Sequence, residues 1–237
     1  MNAEIDHVIS DIALYDPGFP SAIRGASPEE IRALENAAGA SLPDVYREFL
    51  LRMGRRHDFL ILGDADFSIG AVTAYYEHGL RPPPGFWLIG RAKGDPYIDT
   101  YLHSRAGQNS RIVAFPAPPA SGFEQFARTH LRFLAGSLPQ WIALSALELL
   151  RFDAFPAAEL LAGARGNARA LGPCEQALAS VGLRPLWFSN DWVRVYEGPD
   201  GMAVATEYPG GRLIVDLRAA DEAALRRYTA AVSSLLA

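Results

Sequence analysis

The sequence predicts an α+β fold in which helices come first and an antiparallel sheet follows. Two neighbouring segments, 27–38 and 41–53, carry apolar residues at helical spacing. The chain between 86 and 116 instead holds short apolar or alternating runs bounded by glycine and proline. Helices and strands that occupy separate stretches of a chain are typical of α+β proteins. With 49% apolar and 11% aromatic residues among 237, the chain has enough material for a packed core.

The first helix of this pair is predicted from its end signals. Ser27 is placed to accept from the Glu30 backbone N–H, and Glu30 is placed to reach back, which makes a capping box. Pro28 falls at the first helical position, where its missing N–H costs nothing. Gly39 is the expected stop.

A second helix is predicted directly after this stop. Ser41 and Asp44 repeat the capping spacing, and Gly54 is the expected end. The predicted apolar stripe of this helix comprises Val45, Tyr46, Phe49, Leu50 and Met53. Two short amphipathic helices joined by a tight turn must bury their stripes against each other or against a third layer.

The remaining elements of the first part follow from apolar spacing and turn residues. A short helix is predicted at the N-terminus from the spacing of Ile5, Val8, Ile9 and Ile12. Further helices are predicted over 69–78 and 123–135, and strands over 59–62, 86–90, 97–103 and 111–116.

A helix broken near Pro156 is predicted over 138–161, and a connector follows it. Residues from Cys174 onward then predict a helix, a meander of short strands and a final helix that begins at Asp221. The predicted organisation is therefore a first domain over 1–138, a helical connector over 139–172 and a second small α+β domain over 173–237.

Composition excludes several classes of protein. The net charge is −5, and both parts of the chain on either side of Leu138 are acidic, which disfavours direct nucleic-acid binding. The single cysteine, Cys174, rules out an internal disulfide framework and a cysteine-based zinc site. Residues 1–10 lack the apolar run of a secretory signal, and no stretch is long enough to span a bilayer. We therefore expect a soluble, cytoplasmic protein without membrane contact.

The helix pair and the strands after it resemble a known family. The helix pair contributes Glu35 followed by Leu42-Pro43-x-x-Tyr46-x-x-Phe49-Leu50. The later motifs are Leu88-Ile89-Gly90, Gly94-Asp95 with Ile98, and Phe123-Glu124-Gln125-Phe126. Their order and spacing resemble the SUKH superfamily, of the Smi–Knr type, over residues 22–134. One departure is that Met53-Gly54-Arg55-Arg56 stands where the family usually has an Asn-Gly ending.

This resemblance implies a binding protein and not an enzyme. Proteins of the superfamily are mostly bacterial immunity proteins that bind a cognate toxin, often a nuclease, in polymorphic toxin and type VI secretion systems. We therefore expect a partner that is a protein toxin, with a basic nuclease domain as the favoured type and its active site occluded. No cofactor and no metal are expected. A regulatory or adaptor protein of the same fold is the first alternative.

Strand alternation suggests where a partner would bind. Tyr97, Asp99, Tyr101 and His103 share one face of a predicted strand, and this face looks outward if the other face covers the helices. Because tyrosines dominate the energetics of protein interfaces, this row is the best candidate for a contact surface, unless a second domain covers it. The predicted partner-binding residues are Asp64, Asp66, Tyr76, Glu77, Asp95, Tyr97 and Asp99.

The catalytic alternative is a hydrolase that uses Asp95, Asp99 and His103. No serine or cysteine nucleophile motif stands near His103, and the histidines show no metal-ligand spacing. The glycines around Lys93 lack the spacing of a phosphate-binding loop. The acidic pairs are better explained as turns and caps than as a catalytic or metal site.

Overall fold

The computed structural model describes residues 3–57, 65–94, 98–104, 111–116, 131–163, 171–208 and 211–236. The chain folds into two compact units, Met1–Ala146 and Leu147–Ala237. Each unit contains helices and a five-stranded antiparallel sheet, so the predicted α+β class is confirmed. The assignment of a first domain, a connector and a second domain stays a prediction.

The first unit begins with helices and continues with a sheet. Its helices are α1 (Ala3–Tyr15), α2 (Phe19–Ala22), α3 (Pro28–Ala38), α4 (Asp44–Met53), α5 (Ile69–Glu77) and the start of α6 (Leu138–Leu150). Its strands are β1 (Ala65–Asp66), β2 (Phe86–Ala92), β3 (Ile98–His103), β4 (Arg111–Pro116) and β5 (Arg132–Ala135). The strands lie in sequence order, so each pairs with its neighbour along the chain.

The predicted capping box at the start of α3 is confirmed. The Ser27 hydroxyl accepts from the Glu30 N–H at 3.3 Å, and the Glu30 carboxylate accepts from the Ser27 N–H at 2.7 Å. Gly39 ends the helix in the left-handed conformation, with φ of 74°. This conformation favours glycine because a side chain would be strained there.

The predicted side-chain cap at the start of α4 is wrong. Pro43 occupies the cap position and makes no side-chain hydrogen bond to the helix. The turn between α3 and α4 is held instead by Glu35, whose carboxylate accepts from the Leu42 N–H at 2.9 Å and pairs with Arg47. A carboxylate of the previous helix therefore fixes the turn that leads into α4, but it does not cap the first-turn N–H groups of that helix.

The pairing of β2 with β3 in the first sheet contains a β-bulge in β2. Leu88 pairs with Tyr101, whereas Gly90 pairs with Thr100, so one extra residue of β2 lies between these pairs. A Cβ at Gly90 would lie 2.4 Å from the ring of Phe67, which leaves no room for any other residue. The bulge and this close packing fix how β2 lies against the elements around it.

Two predictions for the first part need correction or lie outside the described residues. The predicted helix over 123–135 is wrong at its end, where Arg132–Ala135 pairs with β4 as a strand. Residue 131 is not helical either, while residues 123–130 of that predicted helix and the strand predicted over 59–62 fall outside the described residues. The other predicted helices and strands of the first part are confirmed within one or two residues.

The second unit places two helices on one face of its sheet. After the end of α6 come a 3₁₀ turn (Phe152–Ala154) and the elements β6 (Ala157–Ala162), α7 (Leu171–Ser180), β7 (Arg184–Pro185), β8 (Val193–Gly198), β9 (Gly201–Tyr208), β10 (Arg212–Ala219) and α8 (Glu222–Leu236). The strand order is β6-β10-β9-β8-β7. Alternate residues of β9 and β10 join α7 and α8 in one apolar core.

The prediction of helix up to residue 161 is wrong, because Ala157–Ala162 forms β6. Pro156 lacks the N–H that a helix needs and disfavours helical geometry at Phe155, so the helix pattern cannot continue through it. β6 pairs with β10, which lies more than fifty residues later in the chain. A partner so distant leaves no signal in the local sequence.

Among the described residues, no helix is long and apolar enough to cross a membrane.

Candidate partner-binding surface

The strand face predicted to look outward is buried at Asp99 and Tyr101 and half-buried at His103. Asp99 and Tyr101 of β3 are both fully buried, and the Tyr101 ring stacks on Phe115 with 3.8 Å between centroids. Burial and the neighbouring Tyr75 of α5 raise the pKa of Tyr101 well above its usual range. The prediction of an exposed row is therefore wrong, because α5 covers this face.

The opposite face of β3 is buried as well. Thr100 and Leu102 on this face are nearly or fully inaccessible. Phe67 packs against Gly90, the β2 neighbour of Thr100, and Trp141 of α6 lies against Phe67 with ring centroids 5.2 Å apart. Alternation along β3 therefore does not separate a solvent face from a core face.

Asp99 is held inside the unit by three donors. Its carboxylate accepts from the Ala92 backbone N–H at 2.8 Å, from Arg91 Nε at 3.3 Å and from the Tyr101 hydroxyl at 3.4 Å. Burial raises the pKa of Asp99, while the Ala92 N–H and Arg91 oppose that rise. Asp99 therefore ties the end of β2 to β3, and it contacts no solvent.

Arg91, near the end of β2, lies against both neighbouring strands and α5. It lies opposite Asp66 in the β1–β2 pairing and contacts Asp99 on the other side. Its guanidinium also lies 5.1 Å from the centroid of the Tyr75 ring. Two of the predicted carboxylates therefore flank one half-buried arginine.

Tyr76 connects α5 to the bulge of β2. Its hydroxyl accepts from the Leu88 N–H at 3.1 Å, and its side chain is buried. Burial raises the pKa of Tyr76 to about 12. Arg81 packs over the Tyr76 ring at 5.6 Å and donates to the carbonyls of Tyr76 and Ala37, both at 2.8 Å. Tyr76 is thus an interior residue that fixes the position of the helix.

Of the predicted binding residues, only some reach the surface in the described structure. Glu77 is exposed at the last position of α5, and Asp66 is half-buried, with its carboxylate accepting from the Ser68 N–H at 2.9 Å. Lys93 is exposed directly after β2. We define the hairpin surface as Asp66, Arg91 and Lys93. Asp64, Asp95 and Tyr97 lie outside the described residues.

The position of Glu77 is not explained by helix stability. A carboxylate at the C-terminal end of a helix faces the negative end of the helix dipole, which is unfavourable. Glu77 therefore does not stabilise its own helix through the helix dipole.

The structure does not assemble the hydrolase alternative. Asp99 and His103 lie four residues apart on β3, which places their backbones about 13 Å from each other. The His103 ring stacks on Phe86 with 4.3 Å between centroids, at the other end of the strand. In the part of the chain that is described, no three His, Cys, Asp or Glu side chains form a group that could hold a metal ion.

Sequence reasoning missed Arg81 and Arg91, which contact the predicted residues. Arg91 stands in a glycine-flanked segment that looks like a solvent-exposed turn, and Arg81 precedes three prolines. The one available signal was the pairing of the two predicted strands. Arg91 directly precedes Ala92, whose backbone N–H donates to Asp99. Local sequence does not indicate that these cations fold back on the sheet and on α5.

A comparison with models of known protein families shows which family this chain belongs to. Residues 25–144 match the model of the SMI1 / KNR4 family (SUKH-1), which is just over half of the chain. The chain belongs to this family. The resemblance inferred over 22–134 is thereby confirmed, and the matched segment lies within the first compact unit. A comparison with curated proteins gives no match.

Family membership fits the site in one respect. The SUKH-1 segment contains both helices of the pair, the bulged strands and the hairpin surface. It therefore includes every residue predicted to bind a partner.

Proposed function

We propose that this protein is an immunity protein that binds a cognate protein toxin and holds it inactive. The observation that carries the proposal is the SUKH-1 match over residues 25–144, because proteins of this family are generally immunity or regulatory proteins and not enzymes. The hairpin surface and the separated positions of Asp99 and His103 support a binding role over a hydrolytic one.

The finer proposal is that the toxin is a nuclease with a basic surface. The protein carries a net charge of −5, and a nuclease must present cations to the phosphates of its substrate. Complementary charge would speed the association and make it sensitive to salt. Occlusion of the nuclease active site would then block cleavage without any chemistry on the part of the immunity protein.

We place the contact around the hairpin surface and Glu77. Asp66 and Glu77 would contact the toxin directly. Asp64 lies two residues before Asp66 in the sequence, and Asp95 and Tyr97 follow Lys93. Asp99 and Tyr76, which are buried, would act as positioning residues that hold Arg91 and α5 in place. Truncation of a direct contact that forms a hot spot is expected to cost about 2 kcal/mol of binding free energy.

The function is tested by capture followed by an activity assay. The tagged protein is incubated with extract of its native host, the bound chain is identified, and that chain is purified alone. We expect the captured protein to be toxic or to degrade nucleic acid, and to lose this activity when the immunity protein is added. A captured protein with no such activity, or one that stays active in the complex, contradicts the proposal.

The placement is tested separately through Lys93. This residue is the single lysine of the chain and is exposed, so an amine-reactive reagent reports directly on the hairpin surface. We expect the purified toxin to slow acylation of Lys93, whereas an unrelated protein at the same concentration leaves the rate unchanged. If the toxin is inhibited normally but Lys93 stays unprotected in the complex, the placement is wrong while the proposed function stands.

A further inference from the structure

The second sheet ends in a strand whose outer side is unpaired within the described chain. β6 pairs with β10 over its whole length and stands at the end of the strand order. Leu160 on this strand is 67% exposed, and its neighbours Ala158 and Ala162 on the same face are exposed too. An exposed, apolar edge strand is a template for pairing with another chain.

The direction of the free backbone groups follows from one hydrogen bond. The Gly163 N–H donates to the Leu213 carbonyl of β10 at 2.9 Å. In an antiparallel pair, residues alternate between bonding to one neighbour and bonding to the other. Leu161 and Glu159 therefore also point their backbone groups at β10. The N–H and C=O groups of Ala158, Leu160 and Ala162 point away from the sheet.

This edge lacks the features that usually block pairing. Within β6 there is no proline, no lysine and no bulge, since its register with β10 is continuous. The single charge is Glu159, which lies on the inner face, where it accepts from the Thr229 hydroxyl of α8. The three residues with outward backbone groups are two alanines and a leucine, so small or apolar side chains surround the free edge.

The sequence of β6 is complementary to itself in one register. If two copies meet antiparallel with Leu160 opposite Leu160, then Ala158 lies opposite Ala162 in both directions, and three residue pairs exchange hydrogen bonds. The exposed leucines also contact each other across the junction. Glu159 lies opposite Leu161 of the second copy, so no like charges meet.

Neighbouring registers are poorer. A junction centred on Glu159 places two carboxylates opposite each other and sets Ala162 against Pro156, which has no N–H to donate. A junction centred on Leu161 leaves Ala158 opposite a position beyond the end of the strand. Both keep two bonded pairs where the Leu160 register has three.

We propose that two copies of this chain associate through β6 in an antiparallel pair centred on Leu160, which joins their second sheets into one ten-stranded sheet. The arrangement is two-fold symmetric, as most homodimer interfaces are. It does not depend on the proposed function, because it uses the second unit and no residue of the hairpin surface. Since a single strand pair is a small interface, we expect a weak dimer that forms at micromolar concentrations or higher.

Cysteine cross-linking tests the register directly. In the predicted dimer the two copies of residue 160 are about 5.5 Å apart at Cα, within the range of a disulfide. The two copies of residue 158 are roughly 14 Å apart. Leu160→Cys should therefore cross-link rapidly under mild oxidation, and Ala158→Cys should not. The double variant Ala158→Cys/Ala162→Cys should cross-link again. The native Cys174 is present in all three variants, and because it is fully buried we expect it to form no cross-link.

Sedimentation provides the matched test of association. We expect the average mass of the wild type to rise from 25.8 kDa toward twice that value with concentration. Leu160→Lys should keep the protein monomeric. Leu14→Lys, which changes an equally exposed leucine of α1, should leave the dimer intact. A wild type that stays monomeric, a dimer that survives Leu160→Lys, or equal cross-linking of Leu160→Cys and Ala158→Cys overturns the proposal.

Discussion

The two sheets of this protein differ in which residues they bury: one strand of the first sheet buries a carboxylate, and one strand of the second sheet exposes a leucine. The central strand of the first sheet buries Asp99 completely, although a carboxylate is costly to bury. The edge strand of the second sheet leaves Leu160 two-thirds exposed. Both strands carry residues of mixed polarity, so composition alone does not produce this difference.

The difference comes from what packs on each strand. β3 lies between α5 on one face and Phe67 with Trp141 on the other, so it has no solvent face. β6 has α8 on its inner face, while its outer face and its edge are open in the described structure. A polar residue on the first strand must therefore find internal donors, whereas an apolar residue on the second is available to another molecule. The comparison predicts that substitutions in β3 change stability and that substitutions in β6 change association.

Among the substitutions of polar side chains, the largest effect on stability is expected from Asp99→Ala. The substitution removes the acceptor of the Ala92 N–H and of Arg91, so it should lower the free energy of unfolding by about 2–3 kcal/mol. Asp216→Ala in the second sheet is the matched control, because Asp216 also pairs with an arginine but is about one-third exposed. That control should cost about 0.5 kcal/mol. Urea denaturation of both variants measures the contrast, and equal losses would show that burial of the carboxylate is not what matters.

A smaller loss is expected from Tyr76→Phe. This change removes the acceptor of the Leu88 N–H at the bulge and should cost about 1–2 kcal/mol. Tyr46→Phe is the control, since Tyr46 is equally buried and its hydroxyl has no hydrogen-bond partner in the described residues. The control should leave the thermal midpoint unchanged or raise it slightly. If both variants lose the same stability, the hydrogen bond to the bulge contributes nothing.

The stability that Asp99 contributes should depend on pH with a defined sign. Burial raises the pKa of Asp99, so the folded protein keeps the proton to a higher pH than the unfolded chain does. The contribution is therefore fully present below the ordinary aspartate pKa and is lost as the pH rises through the raised value. Relative to Asp99→Asn, the wild type should lose stability as the pH is raised from about 4, the ordinary aspartate pKa. A difference that stays constant or grows as the pH is raised contradicts the assignment.

The smallest effect on stability is expected in β6. Leu160→Thr should change the free energy of unfolding of the monomer by less than about 0.5 kcal/mol, because the side chain is already exposed and threonine suits a strand. Leu217→Ala on the adjacent β10 is the contrast, since Leu217 is fully buried in the core of the second unit and its loss should cost about 2–5 kcal/mol. The comparison is made at a concentration where the protein is monomeric. A large loss for Leu160→Thr would mean that this edge is covered.

Much of the fold could be predicted from sequence because its signals are local. The capping box at Ser27, the stop at Gly39 and the strand meander before the final helix all depend on residues close in the chain. β6 and β5 could not be predicted, because their pairing partners supply the structure and leave no mark on the strand itself. The same limit explains the site. Alternation correctly grouped Asp99 with Tyr101, but which face α5 covers is a tertiary property that no spacing rule contains.

We propose that this protein acts by holding a cognate toxin inactive. The most direct measurement is the activity of the captured protein as this purified chain is added in increasing molar ratio. We expect this activity to fall steadily and to reach background near equimolar amounts, with no change in either chain's mass. Full toxin activity at a large excess of this protein, under conditions where the two are bound, would contradict it.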